Sequence, residues 1–400
     1  MSNRANLSSM KRNVLLLALC QALMLTGTSM LLATSALVGA RLTPDPSLTT
    51  LPLALQFLGM MMSSFSASLL MKRIGRRSGF QLGLVLALLG TSLCASSIYQ
   101  GSFLGFCLGS VLMGMFNGVG AFYRFAAADV STKDFKARAI SYVMAGGVIA
   151  AFIGPNLASL TRTLTEAEFA GSYASLLVVY LLSMVLMSFT SIPPPSEAER
   201  ARGGRPLWVI MRQPVFLVAV FGALIGYGVM NLVMTATPLA MQGCGLAFFQ
   251  TATVIQWHVV GMFAPSFFTG RLIERFGVLR IMLIGALTLL LCIFINLHGV
   301  SYLHFLSALI ALGIGWNFLF IGGTTLLTEA YVVSEKAKTQ GINDLIISTT
   351  VSCTALSSGY LNFTFGWQTL NLVAIPAVVL VMISVLWLVR RQRSFYYSSA

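Results

Sequence analysis

His258 carries the sharpest chemistry in the chain. It lies about eleven residues into an apolar run at 247–270, which, as a helix rising about 1.5 Å per residue, puts the imidazole near the middle of a membrane. With a reference pKa near 6.5, an imidazole at that depth takes up and releases a proton across ordinary gradients. His258 is therefore the candidate for holding or moving a proton. No Asp, Glu, Lys or Arg lies as deep in any apolar run, which argues against a site for strongly cationic molecules and against sodium held by carboxylates. No phosphate-cradling Gly-rich loop, His-Glu-x-x-His or Gly-x-Ser-x-Gly pattern is found, so ATP hydrolysis, zinc peptidase and serine hydrolase chemistry have no sequence support. The six cysteines stand singly, without Cys-x-x-Cys spacing, and indicate neither a metal site nor a disulfide framework. Neither an enzyme nor a bound cofactor is expected.

The elements that position His258 are membrane spans. The chain is 57% hydrophobic and 9% charged, with a mean hydropathy of +0.85, far from the roughly 25% charged residues of soluble domains. A helix of about 20 residues crosses roughly 30 Å of hydrocarbon, and runs of that kind fall near 13–40, 48–71, 78–98, 102–127, 137–161, 171–191, 213–240, 247–270, 278–297, 301–328, 338–362 and 366–389. The fold class expected is all-α and integral to the membrane: twelve transmembrane helices in two pseudo-symmetric six-helix bundles, 1–191 and 213–400, joined by a polar linker at 192–212. Pro193, Pro194 and Pro195 stop the sixth helix at the head of that linker. Lys11 and Arg12 precede the first run, but it continues to about Gly39, too long for the core of a signal peptide.

Charge supports the same count. The net charge of +14 follows the rule that Lys and Arg stay on the cytoplasmic side. With the N-terminus inside, 23 of the 25 basic residues fall on one face and only Arg41 and Arg162 on the other. Both termini are expected in the cytoplasm and the lipid bilayer is the partner of this charge, with no nucleic acid implied.

Two internal repeats relate the halves. Residues 59–77 return 202 positions later, agreeing at Gly59/Gly261, Met60/Met262, Ser64/Ser266, Phe65/Phe267, Leu70/Leu272, Arg73/Arg275 and Gly75/Gly277. At a spacing of 200, Asn117 matches Asn317, Asp129 matches Glu329, Lys136 matches Lys336, Ala137 matches Ala337, and Arg138 matches Lys338. A duplication of this kind builds transporters whose halves open in turn to the two sides of the membrane.

The repeated turn, Ser68-x-Leu70-x-Lys72-Arg73-x-Gly75-Arg76-Arg77 and Gly270-x-Leu272-x-Glu274-Arg275-x-Gly277, is similar to the cytoplasmic signature Gly-x-Leu-x-Asp-Arg-x-Gly-Arg-Arg/Lys of the major facilitator superfamily. The resemblance covers the whole chain through the twelve runs and the charged linker. The first copy departs from it at Ser68, for Gly, and at Lys72, for the acid. In that fold the turn between helices two and three lies beside the cytoplasmic end of helix eleven. The resemblance therefore implies that Lys72 or Arg73 pairs with Asp344, the single acid of helix eleven, while Glu274 faces the start of helix five near Arg138; a Lys72 that is one more topology-setting charge in water is the alternative. Arg124 and Asp129, at the cytoplasmic end of helix four, read as gate residues rather than substrate contacts. Gly146-Gly147 and Gly154-Pro155 resemble a degraded antiporter signature in helix five, with Ala150 in place of its first Gly.

The family's central cavity is lined by helices one, four, seven and ten and flanked by two, five, eight and eleven. Polar side chains stranded in those spans are costly against lipid. The resemblance thus nominates Gln21, Thr28 and Ser29, Gln56, Asn117, Tyr227 and Asn231, Gln256 and His258, and Trp316 and Asn317. Serine and threonine also bond their own helix, and amides also join helices, so packing remains open for each. Amides, hydroxyls and aromatic rings without a buried acid suit a neutral or weakly anionic organic solute with a flat part. The expectation is a monomeric, proton-coupled secondary transporter of the bacterial inner membrane, with uptake and antiport efflux both open. A non-transporting sensor ranks below these, because Asn117 and Asn317 persist at matched positions.

Overall fold

The computed structural model describes residues 2–45, 48–49, 51–197 and 204–398, and no strand occurs among them. The helices are α1 (Ser2–Leu42), α2 (Leu51–Ile74), α3 (Arg76–Gln100), α4 (Phe103–Gly120), α5 (Tyr123–Asp129), α6 (Lys136–Thr161), α7 (Ala170–Ser188), α8 (Leu207–Met211), α9 (Pro214–Gly243), α10 (Phe248–Phe263), α11 (Ser266–Phe276), α12 (Val278–His298), α13 (Tyr302–Leu327) and α14 (Lys336–Ser398). Ten stretches among the described residues are long and apolar enough to cross a membrane. The broken pair α10/α11 and the first part of α14 bring the crossings to twelve.

Three boundaries differ from those expected. The run at 102–127 is two helices, α4 and α5, because the chain turns at Ala121 and Phe122; an Arg124 Nη1 hydrogen bond at 2.7 Å occupies the Ala121 carbonyl there. The run at 247–270 breaks after Phe263 because Pro265 has no N–H to continue the helical ladder. The last two runs form one long element that changes direction at Gly366, whose φ of 80° and ψ of 168° are not helical.

The repeated glycines have a backbone reason. Gly75 separates α2 from α3 with φ 88°, and Gly277 separates α11 from α12 with φ 87°. A single residue with positive φ makes each reversal, and glycine is the residue that adopts it without a Cβ clash.

By backbone proximity the described helices fall into two compact units. The first contains 1–133, 142–203 and 333–348; the second contains 134–141, 204–332 and 349–400. Each unit thus includes one helix start from the other half of the sequence: the beginning of α14 in the first, the beginning of α6 in the second. Within the first unit α4 packs against α2 and α3, and within the second α13 packs against α9, α10 and α12. Glycine makes the closest crossings, as membrane helices require. Cβ atoms added at Gly59 and Gly114 would run into the backbone carbonyls of Val111 and Gln56.

The two arginines that break the charge rule share one acid. Arg41 and Arg162 both pair with Glu168 and lie 5.4 and 5.7 Å from the centre of the Phe169 ring, tying the end of α1 to the connection between α6 and α7.

Gly114→Val is expected to lower the thermal unfolding temperature of the detergent-purified protein by several degrees, since overpacking costs about 1–3 kcal/mol. Gly243→Ala, where an added Cβ meets nothing within 4 Å, is expected to leave it unchanged within about one degree, as followed with a thiol-reactive dye.

Candidate functional site

The ends of α2 and α5 receive the start of α14, the start of α11 packs on the start of α6, and the two receptions are built differently. In the second unit, Gly270 of α11 lets the backbone in: a Cβ there would lie 2.6 Å from Arg138 Cα and 2.7 Å from the Ala137 carbonyl oxygen. Ser141 then donates its hydroxyl to the Ser266 carbonyl at 2.6 Å and accepts the Gly270 N–H at 2.9 Å. Residues 266 and 270 are four apart, so the hydroxyl bonds both ends of one helical turn. In the first unit the roles are exchanged. Gly341 of α14 makes the room, a Cβ there lying 3.0 Å from the Phe65 ring and 3.1 Å from Ser68 Cβ, and Ser68 donates to the Ala337 carbonyl at 2.7 Å. The departure of Ser68 from the family glycine is thus matched by Gly341 on the facing helix. Sequence reasoning singled out neither Ser141 nor Gly341, although the spacing of 200 aligns them.

The charges differ as well. Glu274 forms an ion pair with Arg138. The implied pairing of Asp344 with Lys72 or Arg73 is corrected by the structure: Arg124 Nη2 reaches Asp344 Oδ1 at 2.5 Å, and Asn343 donates to the same oxygen at 2.7 Å. Arg124 and Asp344 are 5% and 3% exposed. The physical reason is the turn before α5, which carries Arg124 into the interior, whereas Arg73 at the end of α2 is exposed. Arg76 joins the network through Nε to Asp129 Oδ2 at 2.9 Å and Nη2 to Gln340 Oε1 at 2.6 Å, and Lys336 reaches the same Asp129 oxygen at 3.2 Å. Lys72, Arg76, Lys336 and Asp129 line a cavity of about 170 Å³, which Pro193–Pro195 and Ser196 at the head of the linker help to form. Just beyond the end of α13, burial pushes the Glu329 carboxyl up from its ordinary value, and nearby Lys136 partly opposes the shift.

The mid-span candidates separate into spent and unspent groups. Asn317 is 0% exposed; its amide donates at 2.6 Å to both the Met262 carbonyl and Ser266 Oγ, and its oxygen accepts from Thr269 at 2.7 Å. It bridges the break at Pro265. Asn117, its repeat partner, instead accepts from Thr28 at 3.3 Å. Asn231 has placed its amide hydrogens on Val351 O and Thr354 Oγ1, both at 3.0 Å, bracing α9 to α14. His258 is 0% exposed, with Nδ1 2.8 Å from the Leu309 carbonyl of α13. That contact makes Nδ1 the donor and leaves the lone pair on Nε2, which has no hydrogen-bond partner. Gln21 and Gln56 are buried, and Gln56 Oε1 is likewise unpartnered. Gln256 is exposed.

Rings collect around the middle of α13. Trp316 stacks on Phe320 with an 11° interplanar angle, and Tyr227 meets both edge-on at 5.3 Å between centroids. Phe263 closes the group at 5.6 Å from Trp316. In α6, Gly154 packs directly on Thr26 and Ser29 of α1, and Pro155 is exposed. Close packing accounts for that motif, so antiport draws no separate support from it. Gly277 and Arg275 end α11, the arginine lying over the Phe276 ring at 5.3 Å.

The Major Facilitator Superfamily profile matches residues 17–264 and 252–396. The chain belongs to the major facilitator superfamily. It is 41% identical over 376 residues to the protein named riboflavin transporter RfnT of Brucella anthropi, covering 93% of this chain and 94% of that one. Among solved structures it is similar to the transporter FucP in the outward conformation, with a TM-score of 0.74, 15% identity and coverage of 95% and 99% of the two chains. It is also similar to the human organic anion transporter MFSD10, with a TM-score of 0.74, 13% identity and coverage of 94% and 99%. At those identities the two structures establish the fold alone. Family membership makes the protein a multi-pass membrane transporter.

Breaking a buried ion pair from one side leaves a charge without its partner and costs about 3–5 kcal/mol, whereas removing both charges is far milder. Arg124→Leu alone is therefore expected to destabilise the purified protein more than Arg124→Leu combined with Asp344→Leu. A double-mutant cycle on thermal unfolding should give a coupling of at least about 1 kcal/mol.

Proposed function

We propose that this protein carries riboflavin, or a solute with the same flat tricyclic ring, across the bacterial inner membrane as a secondary transporter. The observation that carries this reading is the 41% identity, nearly end to end, with a protein named as a riboflavin transporter. The chemistry of the candidate residues supports it. Aromatic rings at Tyr227, Trp316 and Phe320 suit a flat heterocycle, while amides at Gln21, Gln56 and Asn117 suit a polyol chain and ring carbonyls, and the Asn231 carbonyl suits a donor. The spans offer no mid-depth carboxylate to attract a cation, which fits a neutral solute.

In this reading the protein works as a monomer with both termini in the cytoplasm, and its two bundles rock about the substrate by alternating access. The helix starts docked on α2, α5 and α11 form the cytoplasmic gate: Arg124, Asp129, Lys72, Arg73 and Asp344 on one side of the repeat, Glu274, Arg275 and Gly270 on the other. Gly75 and Gly277 hold the reversals that present these charges. Protons drive accumulation through His258, whose Nε2 lone pair is the basic atom, and its neighbours on α10 and α13 must shift to admit a proton. Gly154 supplies the close α1–α6 contact needed for rigid-body motion of the first bundle.

Proteoliposomes preloaded with riboflavin should show saturable counterflow of labelled riboflavin, absent from empty liposomes. A folded, reconstituted protein that gives none contradicts the assignment. His258→Gln should retain counterflow, which needs no net proton movement, and lose accumulation driven by a pH gradient. Unchanged accumulation in that variant removes His258 from the coupling step.

A further inference from the structure

Within the aromatic group of the second unit, one ring differs from the rest. Trp316, Phe320 and Phe263 are 1%, 4% and 8% exposed, whereas Tyr227 is half-buried. Tyr227 is the fourteenth residue of the 30-residue α9, roughly 20 Å along the helix and so near mid-membrane. A phenol partly exposed at that depth is costly against hydrocarbon and tolerable against a polar chamber. Its ring is also held in orientation. Trp316 and Phe320, parallel to each other, both meet it edge-on, with interplanar angles of 86° and 79°. Two perpendicular neighbours fix the plane of the phenol while leaving part of its surface uncovered.

A second observation points to a ligand. The Trp316 indole N–H is buried and has no hydrogen-bond partner, and a buried donor left unbonded costs free energy. One turn along α9, Asn231 has committed both amide hydrogens to α14, so it has only carbonyl lone pairs to offer. A donor and an acceptor beside an oriented ring match the edge of a flat heterocycle that carries both carbonyls and an imide N–H.

We infer that Tyr227 is the stacking platform for the flat ring of the transported solute, and that Trp316 orients that platform and gives its N–H to a heteroatom at the ring's edge. This deepens the flavin reading and rests on it for the choice of ring. Recognition then belongs to the ring, with the sugar-alcohol chain held elsewhere. Stacking quenches flavin fluorescence, which provides a direct readout.

The test titrates riboflavin, lumichrome (the ring system without its polyol chain) and ribitol against the full-length protein in lipid nanodiscs, with thermal unfolding to confirm that each variant is folded. The wild type is expected to bind and quench both ring compounds and to ignore ribitol. Tyr227→Phe should bind within about twofold of the wild type and Tyr227→Leu about tenfold more weakly for both rings, in keeping with the size of an aromatic contact. Trp316→Phe keeps the edge contact but removes the N–H, and should weaken both rings several-fold while leaving the quenching at saturation intact. A folded Tyr227→Leu that binds both rings within twofold of the wild type overturns the platform and leaves the transport reading standing. Tyr227-dependent binding of lumichrome without any binding of riboflavin does the reverse, and a wild type that binds neither overturns both. Should Tyr227→Leu fail to fold, Tyr227→Trp replaces it: a larger platform must shift both ring affinities by the same factor, and unchanged affinities overturn the inference.

Discussion

In hydrocarbon, a backbone group released by a helix break has no water to turn to, and this protein breaks its eighth span at Pro265. Everything around that break answers the constraint. Asn317 donates to the Met262 carbonyl and to Ser266, Thr269 returns a hydrogen bond to Asn317, and Ser141 occupies the next turn between Ser266 and Gly270. An amide that looks, in sequence, like a substrate ligand is fully engaged as a structural brace. The same constraint gives Arg124 its place, with its guanidinium satisfying the Ala121 carbonyl at the break in the fourth span and the Asp344 carboxylate together.

The duplication preserved this arrangement without preserving its residues. Where one helix start is admitted by Gly270 and fastened by Ser141, its counterpart is admitted by Gly341 and fastened by Ser68. One small residue and one hydroxyl are needed at each contact, and it matters little which helix supplies which. The charges were not kept in the same balance. Glu274 has Arg138 before it, while the equivalent positions in the first repeat are Lys72 and Lys338, both cationic. There the acid work falls to Asp129 and Asp344, each reached from other helices. The proposed cycle thus begins from two contacts of similar shape and different electrostatics.

Much of this was legible before any coordinates. Apolar run length, the lysine and arginine bias and the repeat at 202 locate the twelve crossings, because hydrocarbon thickness and topology act on composition directly. Gly75 and Gly277 are legible for the same reason, since a one-residue reversal with positive φ demands glycine. The partner of Asp344 was not legible. Lys72, Arg73, Arg76 and Arg124 all lie near the right membrane depth, and the choice among them depends on the direction of α5 after a two-residue turn that periodicity does not mark. Nor does sequence distinguish a polar residue that faces a chamber from one spent on a neighbouring helix. Asn117 and Asn317 align in the repeat yet bond differently, and His258 is packed against α13 with one nitrogen engaged.

In the proposed cycle the helix starts docked on α2, α5 and α11 release and re-engage at each turn. Ser68→Cys with Gly341→Cys tests this directly, because the Cβ positions lie 3.1 Å apart and need to ease outward by only a few tenths of an ångström to reach the roughly 3.5–4.5 Å of a disulfide, with the exposed Cys244 and Cys353 replaced by serine. Oxidation should abolish riboflavin counterflow and reduction should restore it, each single cysteine variant being indifferent to both. A fully cross-linked protein that exchanges riboflavin at the uncross-linked rate would contradict the account.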